Sequence, residues 1–304
     1  MKTFLAIDAG GSTLRATWMS GDGNLIRKET LEKNANFLSA GEKEIENILR
    51  FLKHKVPMVD ALTLSMAGID GKPEFDKVKA LCDTIFPTTA CRILPDADGA
   101  YYANFGIEPG VLVICGTGSI VLGKDEEGKR VRSGGWGYLL GDEGSGFWLV
   151  KELFRKYLAY CEFLEERKAC FSVFEELFPG NPRDAFVYFY QPETRKRTAS
   201  FANRFLSLSD PYVIELHQSG LKSLATQVLS VLRRMGLKQG RICLMGGVFS
   251  NAQAEDFFRR YLLGKLSALE QEQISIVAGV KNISDAIAQK MVGETTRSLD
   301  GGTE

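Results

Sequence analysis

Only two histidines, His54 and His217, occur in the 304 residues, and neither has a ligand or triad partner nearby in sequence. Histidine therefore carries no candidate role here. Net charge is also missing: 38 Lys and Arg balance 38 Asp and Glu, which argues against nucleic acid or an anionic membrane surface as partner. Long hydrophobic runs are lacking. The longest, VLVICGTGSIVLG, is broken by glycines and too short to span a bilayer. The opening MKTFLAIDAGG does not read as a secretory signal, because Asp8 interrupts its apolar run. No CxxC or other metal-ligand spacing occurs among the six cysteines, and Cys115 and Cys243 lie inside apolar strand-like runs. The expectation is reduced, buried thiols in a cytoplasmic protein. No GxxxxGK[ST] segment exists, which excludes a P-loop. GxGxxG is absent as well, since Val121 stands where the third glycine would follow Gly116 and Gly118.

What is present reads as a globular α/β chain, long enough for two domains. Strand-like runs end repeatedly in glycine turns: TFLAIDAGG, ALTLSMAG, CRILPD, VLVICGTG and RICLMGG. Helical spacing of Ile45, Ile48, Leu49 and Leu52 predicts an amphipathic helix, and PEFDKVKALCDTIF predicts a second. Residues 147 to 237 read as mostly helical, ISDAIAQKMVGE as the last helix, and RSLDGGTE as an irregular tail. IDAGGSTLRATW and ICGTGSIVLG share one plan of strand, hydroxyl-bearing glycine turn and strand. Such an echo about a domain apart points to a duplicated α/β fold with a cleft between two domains.

Gly10, Gly11, Ser12 and Thr13, and again Gly116, Thr117, Gly118 and Ser119, offer uncovered backbone N–H groups and hydroxyls. Such turns suit phosphate oxygens, although tight hairpins need glycine anyway. Asp8 ends the first strand beside the first turn. It fits either a Mg²⁺ ligand that tempers its repulsion of phosphate or a turn-forming aspartate. Asp96 ends another strand, where open α/β folds place ligands. It fits a general base or a helix N-cap, and Asp98 competes for the same part. GGWGYLLGDEGSGFW, residues 134 to 148, sets Asp142 and Glu143 among six glycines, as though to bring backbone close to a ligand.

DAGGSTLRA, PDADGA, CGTGS, GGWGYLLGDEGSGFW and MGGVFSN occur in the order found in N-acetylglucosamine kinases, and ASFA at 199 to 202 also fits. The chain resembles that family, which is grouped with the BadF/BadG/BcrA/BcrD ATPases in the sugar kinase/Hsp70/actin superfamily. The resemblance implies two ribonuclease-H-like (actin-like ATPase) domains flanking an ATP and sugar cleft. Their expected bounds are 1–112 and 113–283, with a helix at about 284–296 packing back on the first. It implies ATP and Mg²⁺, with Asp8 near the metal and phosphates held at Gly10, Gly11, Ser12, Thr13, Gly116, Thr117, Gly118 and Ser119. Gly246 and Gly247 then line the adenosine pocket. Asp96 falls on the catalytic base, and Asn36, Gly135, Trp136 and Asp142 fall on sugar-holding positions. Tyr138, Leu139 and Leu140 would pin the loop to the core, and Gly144 to Gly146 would start the next helix. Glu143 either touches sugar or favours that helix N-terminus.

The implied reaction is phosphorylation of an amino sugar, N-acetylglucosamine to its 6-phosphate, by a homodimeric cytoplasmic enzyme that binds neither nucleic acid nor membrane. Alternatives are a kinase for glucosamine, N-acetylmuramic acid or glucose, and an ATPase activator of a 2-hydroxyacyl-CoA dehydratase or CoA reductase. The chain departs from the family at Thr13, where lysine is frequent, at Pro95, where asparagine is common, and at IVAGVKNISDA around Gly279, which replaces a PxxGA segment.

Overall fold

A computed structural model of the protein describes residues 2–87, 89–191 and 194–300, with the side chains of 295–300 excepted. It divides into two compact units, residues 1–107 with 280–304, and residues 108–279.

The first unit opens with three strands, β1 (Thr3–Ala9), β2 (Leu14–Ser20) and β3 (Leu25–Leu31), then the short helix α1 (Phe37–Ala40) and α2 (Glu42–Lys55). Strand β4 (Ala61–Met66), helix α3 (Lys72–Ile85), strand β5 (Ala90–Pro95) and helix α4 (Asp96–Phe105) follow. The sheet order is β3-β2-β1-β4-β5, with β1, β4 and β5 parallel and β2 and β3 antiparallel.

The second unit repeats this plan. Strands β6 (Gly110–Cys115), β7 (Ser119–Lys124) and β8 (Arg130–Gly134) precede a helical run: α5 (Gly146–Cys161), α6 (Ser172–Leu177), α7 (Pro182–Phe189), α8 (Arg195–Ser200), α9 (Ala202–Ser207) and α10 (Pro211–Met235). Strand β9 (Gly240–Met245), α11 (Ala252–Leu263), α12 (Ala268–Gln273) and β10 (Ile274–Ala278) complete it. The order β10-β9-β6-β7-β8 has the same pattern of parallel and antiparallel pairs as the first sheet. The echo between the two glycine hairpins is thus an echo of whole sheets. The last helix, α13 (Ile283–Asp300), belongs to the first unit and runs past the expected end at residue 294. Of the expected irregular tail, 301–304 lie outside the described residues.

Strand β1 is buried on both faces, which explains its unbroken apolar run. Leu5 and Ile7 pack with Ile45, Leu49 and Leu52 of α2, while Phe4 and Ala6 pack with Tyr102 of α4 and Ile287 and Met291 of α13. Alternation along the strand therefore places Asp8 on the α4 side, where Asp96 begins its helix. In the second unit, Val111, Val113 and Val121 pack against Leu224 and Val228 of α10. A separate aromatic cluster around Phe154, Phe174 and Phe205 fills the helical region, which the sequence marked only as helical. Strand β10 was not legible either; it falls in the divergent stretch, and the Gly279 amide extends its ladder by donating to Leu244 O at 2.8 Å. Among the described residues no helix is long and apolar enough to cross a membrane.

Helix α4 lies so close on β4 that a Cβ at Gly99 would stand 2.1 Å from Ser65 Oγ and 2.3 Å from Ser65 Cβ. Ser65 is 0% exposed and has no room to retreat. Overpacking a rigid contact costs about 1–3 kcal/mol, so Gly99→Ala should lower stability by about that amount in urea melts. Adding Ser65→Gly should restore most of the loss; a Gly99→Ala protein as stable as wild type would contradict the packing.

Candidate active site

In the first unit, the carboxyl ends of the parallel strands gather the acidic candidates. Asp8 sits opposite Ser65 in the β1–β4 register and opposite Arg15 in the β1–β2 register. The Ser65 hydroxyl donates to Asp8 Oδ1 at 3.4 Å. Burial pushes the Asp8 carboxyl up to about 6, opposed by the Arg15 guanidinium and reinforced by the charge of Asp96. Asp96 directly follows β5 and is the first residue of α4, with Pro95 in the capping position. Its Oδ1 accepts from the Ala97 amide at 2.8 Å. Its carboxyl is raised, first by desolvation and then by the neighbouring charges of Asp70 and Asp98. It nevertheless remains open to solvent, as a group meeting a substrate hydroxyl must be. Asp98 is buried in the first turn of α4, which leaves Asp96 as the accessible carboxylate of the pair.

The first glycine turn closes with Gly10 N donating to Thr13 O at 3.1 Å. Gly11 has open space where a Cβ would be, so the outer side of the turn is uncovered. The Thr13 hydroxyl donates to Glu32 Oε2 at 3.2 Å, and Ser12 is half-buried beside it. The Ala35 amide donates to Gly10 O at 2.9 Å, which ties the Asn36 segment to this turn. Asn36 caps α1, its Oδ1 accepting from Ser39 N at 3.2 Å, and its Nδ2 donates to no described residue. The unit thus brings the turn, Asn36, Asp8 and Asp96 to one edge of one sheet.

In the second unit, Gly116 N donates to Gly118 O at 2.9 Å inside the CGTGS turn. The turn's own carbonyls are taken by the start of α5: Gly146 N donates to Gly116 O at 2.8 Å and Phe147 N to Thr117 O at 3.4 Å. Ser119 is buried and its hydroxyl donates to Glu143 O at 2.9 Å, so its proton is committed within the protein rather than offered to a phosphate. Thr117 remains available on the outside of the turn, where it lines a cavity of about 240 Å³. That cavity joins Gly116 and Thr117 to Gly247 and Val248, with Lys196, Asn203, His217 and Asn251 on its walls. Gly246 (φ 103°) lies against β6 so closely that a Cβ would stand 2.3 Å from Cys115 O. The two glycine loops are therefore in backbone contact.

Asp142 is 4% exposed and holds a left-handed φ of 64°, uncommon for any residue but glycine and more often tolerated by Asp and Asn. Its carboxylate packs over the CGTGS turn, where a Cβ on Gly118 would come 2.6 Å from Oδ2. Burial raises its carboxyl, opposed by the Ser119 backbone amide and by Arg195. Glu143 accepts from Gln227 Nε2 at 3.1 Å, so α10, not the α5 N-terminus, holds its side chain. Ser145 caps α5, accepting from Trp148 N at 3.2 Å. Gly135 N donates to Ser119 O at 3.1 Å, which fixes that glycine to the second turn. Trp136 stands out at 67% exposed with Arg132 stacked 4.5 Å from its ring centroid.

The expected pinning of the loop is corrected in part. Leu139 and Leu140 are 74% and 83% exposed, and only Tyr138 packs inward, edge-on to Phe147 at 5.2 Å. The tight bend Gly137–Gly141 turns the two leucines outward. What anchors the loop instead is α10. His217 Nε2 lies 3.2 Å from Gly144 O, and a Cβ on Gly220 would stand 2.6 Å from Gly144 N. Burial lowers the His217 pKa and keeps the ring neutral, suited to donating that bond. Sequence spacing could not reveal this, since His217 lies 73 residues from Gly144 and Gln227 84 residues from Glu143. Lys196 and Asn203 were findable, because they flank the ASFA stretch.

Among the described residues, no three His, Cys, Asp or Glu side chains are placed to hold a metal ion by themselves. Asp8 offers a single half-buried carboxylate at the first glycine turn, a donor that suits Mg²⁺, which takes one or two carboxylates with phosphates and waters.

Comparison with known proteins follows the same lines. The chain is 28% identical over 263 residues to N-acetyl-D-glucosamine kinase of Dictyostelium discoideum, covering 77% of this chain and 80% of that one. It is 23% identical over 278 residues to N-acetylmuramic acid/N-acetylglucosamine kinase of Clostridium acetobutylicum, covering 86% and 90%. A Porphyromonas gingivalis protein proposed to be an N-acetylglucosamine kinase shares the fold with a TM-score of 0.72 at 17% identity, over 97% of this chain and 100% of that one. The ROK hexokinase of Thermus thermophilus shares it with a TM-score of 0.55 at 14% identity, over 95% and 96%. Residues 5–281 match the profile of the BadF/BadG/BcrA/BcrD ATPase family, and the chain belongs to that family.

Proposed function

We propose that the protein is an ATP-dependent kinase that transfers the γ-phosphoryl group to the 6-hydroxyl of N-acetylglucosamine. The observation that carries this reading is the placement of Asp96: an accessible carboxylate with a raised pKa, at the end of a parallel strand, on the same sheet edge as Asp8 and the first glycine turn. Names borne by the relatives from Dictyostelium and Clostridium support the same substrate class.

In this reading Asp96 accepts the proton of the sugar hydroxyl as the hydroxyl oxygen attacks the γ-phosphorus, and the γ-phosphorus–oxygen bond to the β-phosphate breaks to release ADP. The raised pKa brings it nearer the working pH, where a general base is most effective. Gly10 to Thr13 and Gly116 to Thr117 cradle phosphate oxygens through backbone amides and hydroxyls. Ser119 and Gly118 shape the second turn from within. Gly246 and Gly247 border the adenosine with the walls of the 240 Å³ cavity. Asn36 Nδ2 donates to the sugar, Gly135 permits close backbone approach, Trp136 covers a sugar face, and Asp142 accepts from sugar hydroxyls at the loop's inner side. Asp8, with the phosphates, would hold Mg²⁺, which would supply charge neutralisation for the transferred group. The six free cysteines suit a reducing cytoplasm. Pairing of two copies through the helical part of the second unit is supported by apolar exposure there, at Phe163 and Leu164.

Two measurements test the assignment. In a coupled ADP-release assay with a panel of sugars, Asp96→Asn should lower kcat by about two to four orders of magnitude while KM for the sugar changes little; near-normal turnover would remove Asp96 as the base. The wild-type acid limb should lie above the ordinary carboxylate range, since protonation of Asp96 stops proton acceptance.

Asp8 is tested through stability in EDTA. Its folded pKa lies above its unfolded value of 3.8, so folding is penalised once pH rises through that value, and fully so above about 6. Asp8→Asn should therefore stabilise the metal-free protein at pH 7.5, by at most about 2–3 kcal/mol, and show little gain at pH 4. The same variant should lose Mg²⁺-dependent turnover. Equal unfolding midpoints at pH 7.5 would show that Asp8 is not desolvated.

A further inference from the structure

His217 is 4% exposed, and only one of its ring nitrogens has a described partner. Nε2 lies 3.2 Å from Gly144 O, and a carbonyl oxygen can only accept, so Nε2 carries the hydrogen. Burial holds the ring neutral, which leaves Nδ1 as a bare lone pair. The described side-chain polar atoms that are sealed from solvent without a partner belong to Trp18, Tyr188, Thr198 and Gln227. Nδ1 is not among them, so it opens on free space. His217 borders the cavity of about 240 Å³ that holds Gly116 and Thr117, and a second of about 210 Å³. Leu206, His217 and Asn251 line both, so they stand where the two cavities meet.

Asn251 is the converse case. Its Oδ1 accepts from Ala254 N at 3.0 Å as the cap of α11, which fixes the orientation of the amide. Its Nδ2 donates to no described residue. The junction of the cavities therefore offers one acceptor, His217 Nδ1, and one donor, Asn251 Nδ2, beside the apolar Leu206. Holding Gly144 O needs a donor alone; what the imidazole adds is an acceptor on the other side of the ring. A base whose edge carries an amino group beside a bare ring nitrogen complements this pair. Adenine presents its N6 amino group beside the bare N7, whereas guanine presents O6 there, a second acceptor. A 6-oxo purine would set its carbonyl oxygen against the His217 lone pair, leaving both unpaired in a partly buried place.

We infer that His217 and Asn251 are specificity-determining residues that read the 6-amino edge of the nucleotide's base, so that the enzyme takes adenine nucleotides and rejects 6-oxo purine nucleotides. This rests on the kinase reading above, with the base in the cavity that Gly247 borders, and narrows the phosphoryl donor.

The test compares kcat/KM for ATP, GTP and inosine triphosphate, with the best sugar of the panel at saturation, in wild type, His217→Leu, His217→Gln and Asn251→Asp. Purine riboside triphosphate, which keeps the ring but lacks the amino group, is a fourth donor. Wild type should favour ATP over the two 6-oxo nucleotides by about tenfold to a hundredfold, the range for leaving a buried polar group unpaired. It should favour ATP over purine riboside triphosphate by about threefold to tenfold, as for one neutral hydrogen bond, chiefly through the nucleotide KM. His217→Leu lacks the acceptor, and its ATP-to-inosine ratio should fall to near one. His217→Gln supplies both a donor and an acceptor and should keep part of the ratio. Asn251→Asp keeps the α11 cap but not the donor, and should lower the ratio by about threefold to tenfold. Loosening of Gly144 in the His217 variants lowers turnover with every nucleotide alike, so a ratio within one preparation does not register it. The wild-type comparison and Asn251→Asp leave His217 unchanged, so the test stands even if His217→Leu does not fold. A wild type that uses the 6-oxo nucleotides as well as ATP overturns this inference alone, as does a folded His217→Leu with the wild-type ratio. A wild type that phosphorylates no sugar of the panel with any of the nucleotides overturns the kinase reading together with it.

Discussion

Backbone brought against backbone at the ends of parallel strands is the constraint on which both units depend. In the first unit it is α4 pressed on β4, where Gly99 leaves Ser65 just enough space. That contact sets where α4 begins, and Asp96 is its first residue. Ser65 is also the partner of Asp8, so one tight contact places a candidate base and a candidate metal ligand together. In the second unit the CGTGS turn is pressed on one side by Gly246 against Cys115 and on another by the Asp142 carboxylate against Gly118. A Cβ at Gly246 would strike the Cys115 main chain, and one at Gly118 would strike the Asp142 carboxylate.

The glycines of the 134–146 loop therefore do two kinds of work. Gly144 meets Gly220 of α10, which locks the loop to a 25-residue helix. Gly135 lets its amide reach Ser119 across the second turn. The aromatic and leucine tip between them is left largely in solvent. A rigid base with an exposed tip suits a segment that must hold a carboxylate in a left-handed conformation and still meet a ligand. His217 and Gln227 complete that base by donating from uncharged side chains, to Gly144 O and to the Glu143 carboxylate, which places no cation in the contact.

The charges divide along the same line. Half-buried Asp8 and buried Asp142 are both raised by desolvation, and each has an arginine that opposes the rise, Arg15 for one and Arg195 for the other. Carboxylates held this way, partly desolvated and incompletely neutralised, are common at sites that await a cation or a set of hydroxyl donors.

The amino-acid sequence by itself determined the strands, their glycine ends, the doubled plan and the positions of Asp8, Asp96 and Asp142. The strands and their glycine ends follow from local periodicity, whereas Asp8, Asp96 and Asp142 were singled out by the order of motifs shared with a known family, since spacing alone left each a second use. Strand β10 and the helical insert were less legible, because their pattern is set by packing partners far along the chain. Only the tertiary structure decided which aspartate of PDAD stays accessible, that Ser119 is committed to Glu143, that Leu139 and Leu140 face outward, and that α10 carries the loop. Each of these depends on what stands opposite in space. A residue's neighbours across a sheet or helix contact are unrelated to its neighbours in sequence, and it is those neighbours that fix burial, hydrogen bonding and charge.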